Sequence, residues 1–219
     1  MSFIIDSAFL HIVNLSFWVA FASITIAFVI GFPIGLVIGM NRFRGRKLVL
    51  LIISSFLAFP SVVIGLLVFM LLANFGPLGH LRLLFTPTGM IIAQGLLVLP
   101  FVIFTSQQQI DQIYKRYRPL LLSLGRDKIS SAMTIIYEGR VQVLTMYANG
   151  FSRALSAIGA VVIVGGNIAG QTRLLTTDIS LQISQGHFGT ALLMGGVLLS
   201  ISLAINTLVF ILQDALTSS

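Results

Sequence analysis

Apolar runs long enough to cross a bilayer alternate with short polar breaks along this chain, and that alternation predicts its elements. Continuous apolar stretches cover residues 16–40, 48–73, 87–106, 141–164 and 190–213. A helix needs about 20 apolar residues to span a hydrocarbon core of ~30 Å, so the pattern predicts an all-α fold with about five spans. Residues 1–15 mix apolar positions with Asp6, Ser7, His11 and Asn14; they are too short for a sixth span and predict an interfacial helix. Gly31, Gly35 and Gly39 recur every fourth residue and share one face of the first span, a spacing that lets helix backbones approach closely in lipid. Pro33 is expected to kink the first span through its missing N–H; Pro60 lies near the middle of the second span and Pro100 late in the third. Asn74-Phe-Gly-Pro-Leu-Gly79 and Gly165-Gly-Asn-Ile-Ala-Gly170 are turn signals. The second opens a loop, residues 165–189, expected on the outer side. No internal repeat stands out, which disfavours an inverted-repeat carrier.

Composition agrees with this reading. Apolar residues make up 57% of the 219, charged residues 9%, and the mean hydropathy is +1.03. The net charge of +7 would suit a nucleic-acid binder, but its location argues otherwise. Arg42, Arg44, Arg46 and Lys47 form one cluster; Lys115, Arg116, Arg118, Arg126, Lys128 and Arg140 form another. Both lie between apolar runs, as cytoplasmic loops do. The expected outer side carries Arg82 and Arg173. The expected topology therefore has the N-terminus outside and the C-terminus inside. The first apolar run lacks a basic n-region and a small-residue cleavage site, so it is expected to stay in the mature protein. No cysteine is present, and His11, His80 and His187 lack metal-ligand spacing. No metal site is expected.

Residues 107–140 are the longest polar stretch. They contain Arg118-Pro-Leu-Leu-Leu-Ser-Leu-Gly125-Arg-Asp-Lys and Ile135-Ile-Tyr-Glu138-Gly-Arg140. Leu121, Leu124, Lys128 and Ala132 recur at helical spacing, and a turn at Gly125 would make two short helices at the membrane surface. From the residues alone, such a hairpin either offers leucines to a partner's groove or merely closes one span onto the next.

The Ser123-Leu-Gly125 core, with Ile135 ten residues beyond the glycine, resembles the cytoplasmic coupling loop of bacterial ABC importer permeases. Phe59-Pro-Ser-Val-Val-Ile-Gly-Leu-Leu-Val68, Gly76-Pro-Leu-Gly79, Leu84-Phe-Thr-Pro-Thr88, Met90-Ile-Ile-Ala-Gln94 and Leu97-Val-Leu-Pro100 extend the resemblance. So do Val164-Gly-Gly-Asn-Ile168 and Gly170-Gln-Thr-Arg-Leu-Leu-Thr-Thr177. Together they resemble the permease subunits of tungstate-type importers, relatives of the molybdate and sulfate permeases. The likeness runs from about Gly31 to the C-terminus. It implies a single type I permease domain over residues 1–219 in the bacterial inner membrane. It implies a homodimer with the oxyanion path at its interface, two ATPase subunits that bind ATP and Mg, and an extracytoplasmic binding protein. No phosphate loop of the form G-x-x-x-x-G-K-[ST] occurs in this chain, so no enzymatic activity is expected of it. Molybdate is the alternative substrate; an autonomous channel or ion-coupled carrier is the alternative class.

The resemblance assigns ATPase coupling to Arg118, Leu121, Ser123, Leu124, Gly125, Asp127, Ile135 and Glu138. Three departures from the family pattern stand out. Pro119-Leu-Leu121 replaces Glu-Ala-Ala, Ala157 replaces a glutamate, and Ala169 replaces an arginine. Arg153 falls near mid-membrane, and it either lines the path or pairs with helix carbonyls. Ser156 and Gly159 follow it. Gly165, Gly166 and Asn167 form either an oxyanion nest or a helix C-cap. Arg173, Thr176 and Thr177 are candidates to receive the anion or its binding protein, or else belong to an ordinary solvated loop.

Overall fold

The computed structural model describes the backbone of residues 7–217 and the side chains of residues 7–211. The first six residues of the expected interfacial segment, and the last two of the polar tail, lie outside the described residues. Nine α-helices and one short 3-10 turn follow one another among the described residues.

Helix α1 runs unbroken from Ser7 to Met40, and α4 runs from Pro87 to Ser123. At 34 and 37 residues, they extend roughly 50–55 Å at 1.5 Å per residue, well beyond a ~30 Å core. Thr86 starts α4 by accepting the Gly89 N–H at 3.2 Å, with Pro87 pre-set for the first turn. The stretch expected as a separate surface helix is thus, from Ser7 on, the beginning of α1. Phe9, Ile12 and Val13 pack on Leu175 and Met194, while Ser7, His11 and Asn14 face outward.

The glycine face of α1 meets α4. A Cβ on Gly35 would stand 2.5 Å from the Ser106 Cβ and 2.8 Å from the Ile103 carbonyl oxygen. Only a hydrogen fits there, so the two long helices lie backbone to backbone. Further along, Ala20, Ile24 and Ala27 join Val98 and Val102 of α4 to Phe151, Ala154 and Leu155 in a common core. Within it, Gln94 is buried and bridges helices: its amide donates to the Ala154 carbonyl, and Ser23 lies 3.1 Å from its Oε1.

Two expected spans are broken. Residues 48–73 divide into α2 (Arg46–Leu57) and α3 (Ser61–Leu72), bent by 95°. Residues 141–164 divide into α6 (Arg140–Ser156) and α7 (Gly159–Gly165), bent by 57°. Three helices are long and apolar enough to cross a membrane alone; each bent pair taken as one span brings the number to five. Helix α5 (Lys128–Glu138) follows α4, and α8 (Leu175–Ser184) lies within the stretch read as a loop, residues 165–189. Helix α9 (Phe188–Thr217) completes the chain. Its early residues Ala191 and Met194 are buried, but only 6% of its membrane-length window is covered by the rest of the chain.

Candidate functional site

The polar segment after the third span is a helical corner. Helix α4 continues through it to Ser123 and stops at Gly125, whose φ of +62° is unfavourable for any residue with a Cβ. The Arg126 N–H reaches the Leu121 carbonyl at 3.1 Å and the Gly125 N–H the Leu122 carbonyl at 3.1 Å. This pairing satisfies the last carbonyls of α4 as a Schellman turn. Asp127 then caps α5 by accepting the Ser130 N–H at 3.2 Å. Arg126 folds over the new helix, donating to Ser130 at 2.9 Å and Thr134 at 3.2 Å.

The corner has an inside and an outside. Leu121 and Ile135 are buried with Ile110, packed against Leu36, Met40, Tyr114 and Tyr117. They hold the corner to α1 and α4. Leu124, Arg118, Ser123, Asp127 and Glu138 are exposed, so the turn separates Leu121 from Leu124, which continuous helical spacing had placed together. The outward apolar stripe is Ile129, Met133 and Tyr137, exposed by 69%, 67% and 66%, with Leu122 and Leu124 beside it. Their i, i+4, i+8 spacing was readable in the sequence but was not singled out. Glu138 accepts the Tyr117 hydroxyl at 2.9 Å, while Arg140 stacks over the Tyr137 ring at 4.7 Å.

Asp111 was also missed. Its Oδ1 accepts from Arg42 at 3.2 Å and Arg46 at 3.1 Å, and Lys115 Nζ lies 2.6 Å from Oδ2. Three cations from both basic clusters thus converge on one carboxylate of α4.

The two helix breaks lie side by side. A Cβ on Gly159 would stand 2.6 Å from Ser61 Oγ and 2.9 Å from the Val62 nitrogen, so α7 can begin against α3 only with glycine there. Farther along, Gly65 faces the Ala160 backbone in the same close manner. Arg153, on the last turn of α6, reaches across to the first break. Its Nη2 donates to the Leu57 carbonyl at 3.4 Å, and its guanidinium stands 5.5 Å from the Phe101 ring centroid. The end of α2 and an aromatic face thus hold this cation. Its Nε is buried with no partner among the described residues. Ser156 is exposed at the second break and donates to the Arg153 carbonyl at 3.1 Å.

On the other end of the chain, Gly166 at φ +69° ends α7, its N–H returning to Val162 at 2.9 Å. Gly165 and Ile168 are engaged as well. Thr172 donates to the Gly165 carbonyl at 2.5 Å and accepts the Ile168 N–H at 3.0 Å. The backbone here is therefore spent on a C-cap and its loop. Thr176 and Thr177 are buried, and Thr177 donates to Asn167 Oδ1 at 2.9 Å. Arg173 Nε lies 3.9 Å from buried Asp178, so its charge is opposed from beneath. Ser16 accepts the Leu175 N–H at 2.8 Å, which ties the start of α8 to α1.

An apolar multi-span body with one helical corner projecting from it agrees with the comparison to known families. A model of the inner membrane component of binding-protein-dependent transport systems matches residues 31–219. The chain belongs to that family. It is a multi-pass inner membrane permease subunit and not an enzyme. The permease is 38% identical over 203 residues to the tungstate uptake system permease protein TupB of Peptoclostridium acidaminophilum, covering 93% of this chain and 89% of that one. It is 35% identical over 202 residues to a probable anion ABC transporter permease of Haloferax volcanii, covering 90% and 87%. A sulfate transport system permease of Synechocystis, CysT, is 27% identical over 208 residues, covering 92% and 73%.

Proposed function

We propose that this permease forms the membrane path of an ATP-driven oxyanion importer, with tungstate as the substrate. The α4–α5 corner is where a separate ATPase subunit docks, and ATP and Mg bind on that subunit. The observation that carries the coupling role is the solvent-facing stripe of Ile129, Met133 and Tyr137 beside Leu122 and Leu124. It sits on a corner braced from within by Ile135, Leu121 and Ile110. An exposed apolar patch rimmed by charge fits a protein partner, and the rigid brace passes a push at the corner into α1 and α4. The substrate assignment is supported by the tungstate permeases among the relatives and by the anion permease beside them.

The rest of the assembly follows the family's plan. The permease pairs with a second copy of itself, two ATPase subunits and an extracytoplasmic oxyanion-binding protein. Its N-terminus is outside and its C-terminus inside, residues 107–140 are cytoplasmic, and residues 165–189 face the binding protein. Arg153, Ser156 and Gly159 line the path at the paired breaks. Gly165, Gly166 and Asn167, with Arg173, Thr176 and Thr177, shape its outer mouth.

The test is oxyanion-stimulated ATP hydrolysis by the complex in liposomes, with ATPase and binding protein present. Stimulation by tungstate and not by sulfate is expected; stimulation by molybdate alone would reassign the substrate. Gly125→Val forces a branched side chain to φ +62°, costing at least ~1–2 kcal/mol at the turn. It should separate ATP hydrolysis from uptake while the protein still inserts. Normal uptake by Gly125→Val would refute the docking assignment.

A further inference from the structure

Helix α2 is held in an unusual way. None of its residues, from Arg46 to Leu57, is buried among the described residues. An apolar cavity of about 260 Å³ opens between α2, α3 and α4, lined in part by Ile52, Phe56, Ile64, Leu67, Pro100 and Ile103. Its N-terminus has Gly45 in a left-handed conformation (φ +88°) and no side-chain cap. A basic residue in the first turn opposes the helix dipole, yet Arg46 and Lys47 stand there. What fixes α2 is a polar fastening at each end. At its start, Arg46 donates through Nε to the Ile38 carbonyl of α1 at 3.1 Å and through Nη2 to Asp111 at 3.1 Å. At its end, Arg153 donates to the Leu57 carbonyl, a cation placed where the dipole favours one.

The two fastenings join regions that the mechanism must connect. Asp111 follows Ile110, which packs on Ile135 of the docking corner. Leu57 opens onto the 95° break that meets Gly159. We infer that α2 is a movable strut between the ATPase-docking corner and the paired helix breaks, and that Asp111 and Arg46 are the positioning residues that couple it to the corner. The inference rests on the proposed docking role of that corner. The cavity gives α2 room to swing against α4, and with none of its side chains fully buried its position depends on a light contact with α4 and on the two fastenings. Movement of α4 at Asp111 then shifts Arg46 directly, and α2 carries the shift to the break.

The experiment uses the intact complex in liposomes, with spin labels introduced through Ser55→Cys on α2 and Gln108→Cys on α4. In the otherwise unaltered complex, the label separation should change between the nucleotide-free and ATP-trapped states. Arg46→Gln leaves Asp111 paired with Arg42 and Lys115, so the fold has its compensating charges. With that change the ATPase should still co-purify and hydrolyse ATP at its basal rate, the distance change should vanish, and tungstate uptake should fall about tenfold. Asp111→Glu, which retains the charge, should restore most uptake relative to Asp111→Asn. If Arg46→Gln fails to accumulate, Arg46→Lys serves, keeping the charge while losing the fork that reaches both Ile38 and Asp111; a partial loss of uptake and a reduced distance change are then expected. A separation that ignores nucleotide, or Arg46 variants that move and transport as the parent does, would overturn the strut. Loss of the ATPase from the parent complex would instead count against the docking reading.

Discussion

The closest approach between the two longest helices offers a quantitative test. In Gly35→Ala the new Cβ would stand 2.5 Å from the Ser106 Cβ, 2.8 Å from the Ile103 oxygen and 3.1 Å from the Gln107 nitrogen. Carbon atoms in contact prefer about 3.5–4.0 Å, so α1 and α4 must separate by about 1 Å. Two of the three neighbours are backbone atoms of a continuous helix, which leaves no side chain free to rotate away. Neighbouring Gly31 and Gly39 are nearly as tight, at 3.1 Å and 2.8 Å, so a separation at Gly35 also loosens their contacts. Overpacking of this kind costs about 1–3 kcal/mol. Gly195→Ala on α9 is the matched control, since nothing lies within 4 Å of its added carbon; there alanine should be neutral or gain up to about 1 kcal/mol from helix propensity. Unfolding of the detergent-solubilised protein, followed by helical circular dichroism, should therefore separate the two variants by about 1–4 kcal/mol. If Gly35→Ala unfolds within about 0.5 kcal/mol of Gly195→Ala, the backbone-to-backbone contact is not what holds α1 to α4.

Other outcomes follow from local hydrogen bonds. Asp127→Ala removes the cap of α5 and should cost about 1 kcal/mol, read as roughly fivefold faster amide exchange in the first turn of that helix. Thr172→Val is close in shape but loses both the Gly165 and Ile168 contacts. With those backbone groups left unpaired, it should destabilise the protein by about 1–3 kcal/mol, measured as thermal unfolding against Thr176→Val, whose hydroxyl forms no such bridge among the described residues. Equal melting of the two would show that the Thr172 bridge contributes nothing.

The spans were legible because hydropathy reports what lipid tolerates, and the spacing of Gly31, Gly35 and Gly39 reports what a neighbouring helix tolerates. Neither signal reports where a helix ends. Gln107-Gln-Gln-Ile110 is polar enough to leave the membrane, yet composed of residues that extend a helix readily, and Ile110 gives the extension a core to join. The α4 continuation was therefore hidden inside an apparent loop. Similarly, Ser7, His11 and Asn14 suggested a surface helix, when their face is the open side of α1 and Phe9 packs inward. Pro60 stands at one break and could have marked it, but Ala157-Ile158 carries no comparable signal, because that break depends on α3 passing Gly159. The Asp111 hub was out of reach for another reason. Its partners Arg42 and Arg46 lie 69 and 65 residues away, and one sequence holds no record of which distant charges meet. Arg153 was legible as a buried cation, while its acceptor, the end of a broken helix, became apparent only once the break itself was seen.

Helix α9 has a consequence for how this protein tolerates change. Beyond Met194, most of its side chains touch little of their own chain: Leu199, Leu203, Leu208, Phe210 and Ile211 are all more than half exposed. Exchanges among leucine, isoleucine and phenylalanine there alter no jigsaw within the subunit, so folding of the subunit itself asks of them only that they stay apolar. The opposite holds along α1, where a single methyl group at Gly35 has nowhere to go. One chain thus contains a helix with one face fixed by shape and another helix whose sequence its own subunit constrains mainly through solubility in hydrocarbon. Random mutation of this gene should fill α9 with silent variety and leave the Gly31, Gly35 and Gly39 face of α1 almost untouched.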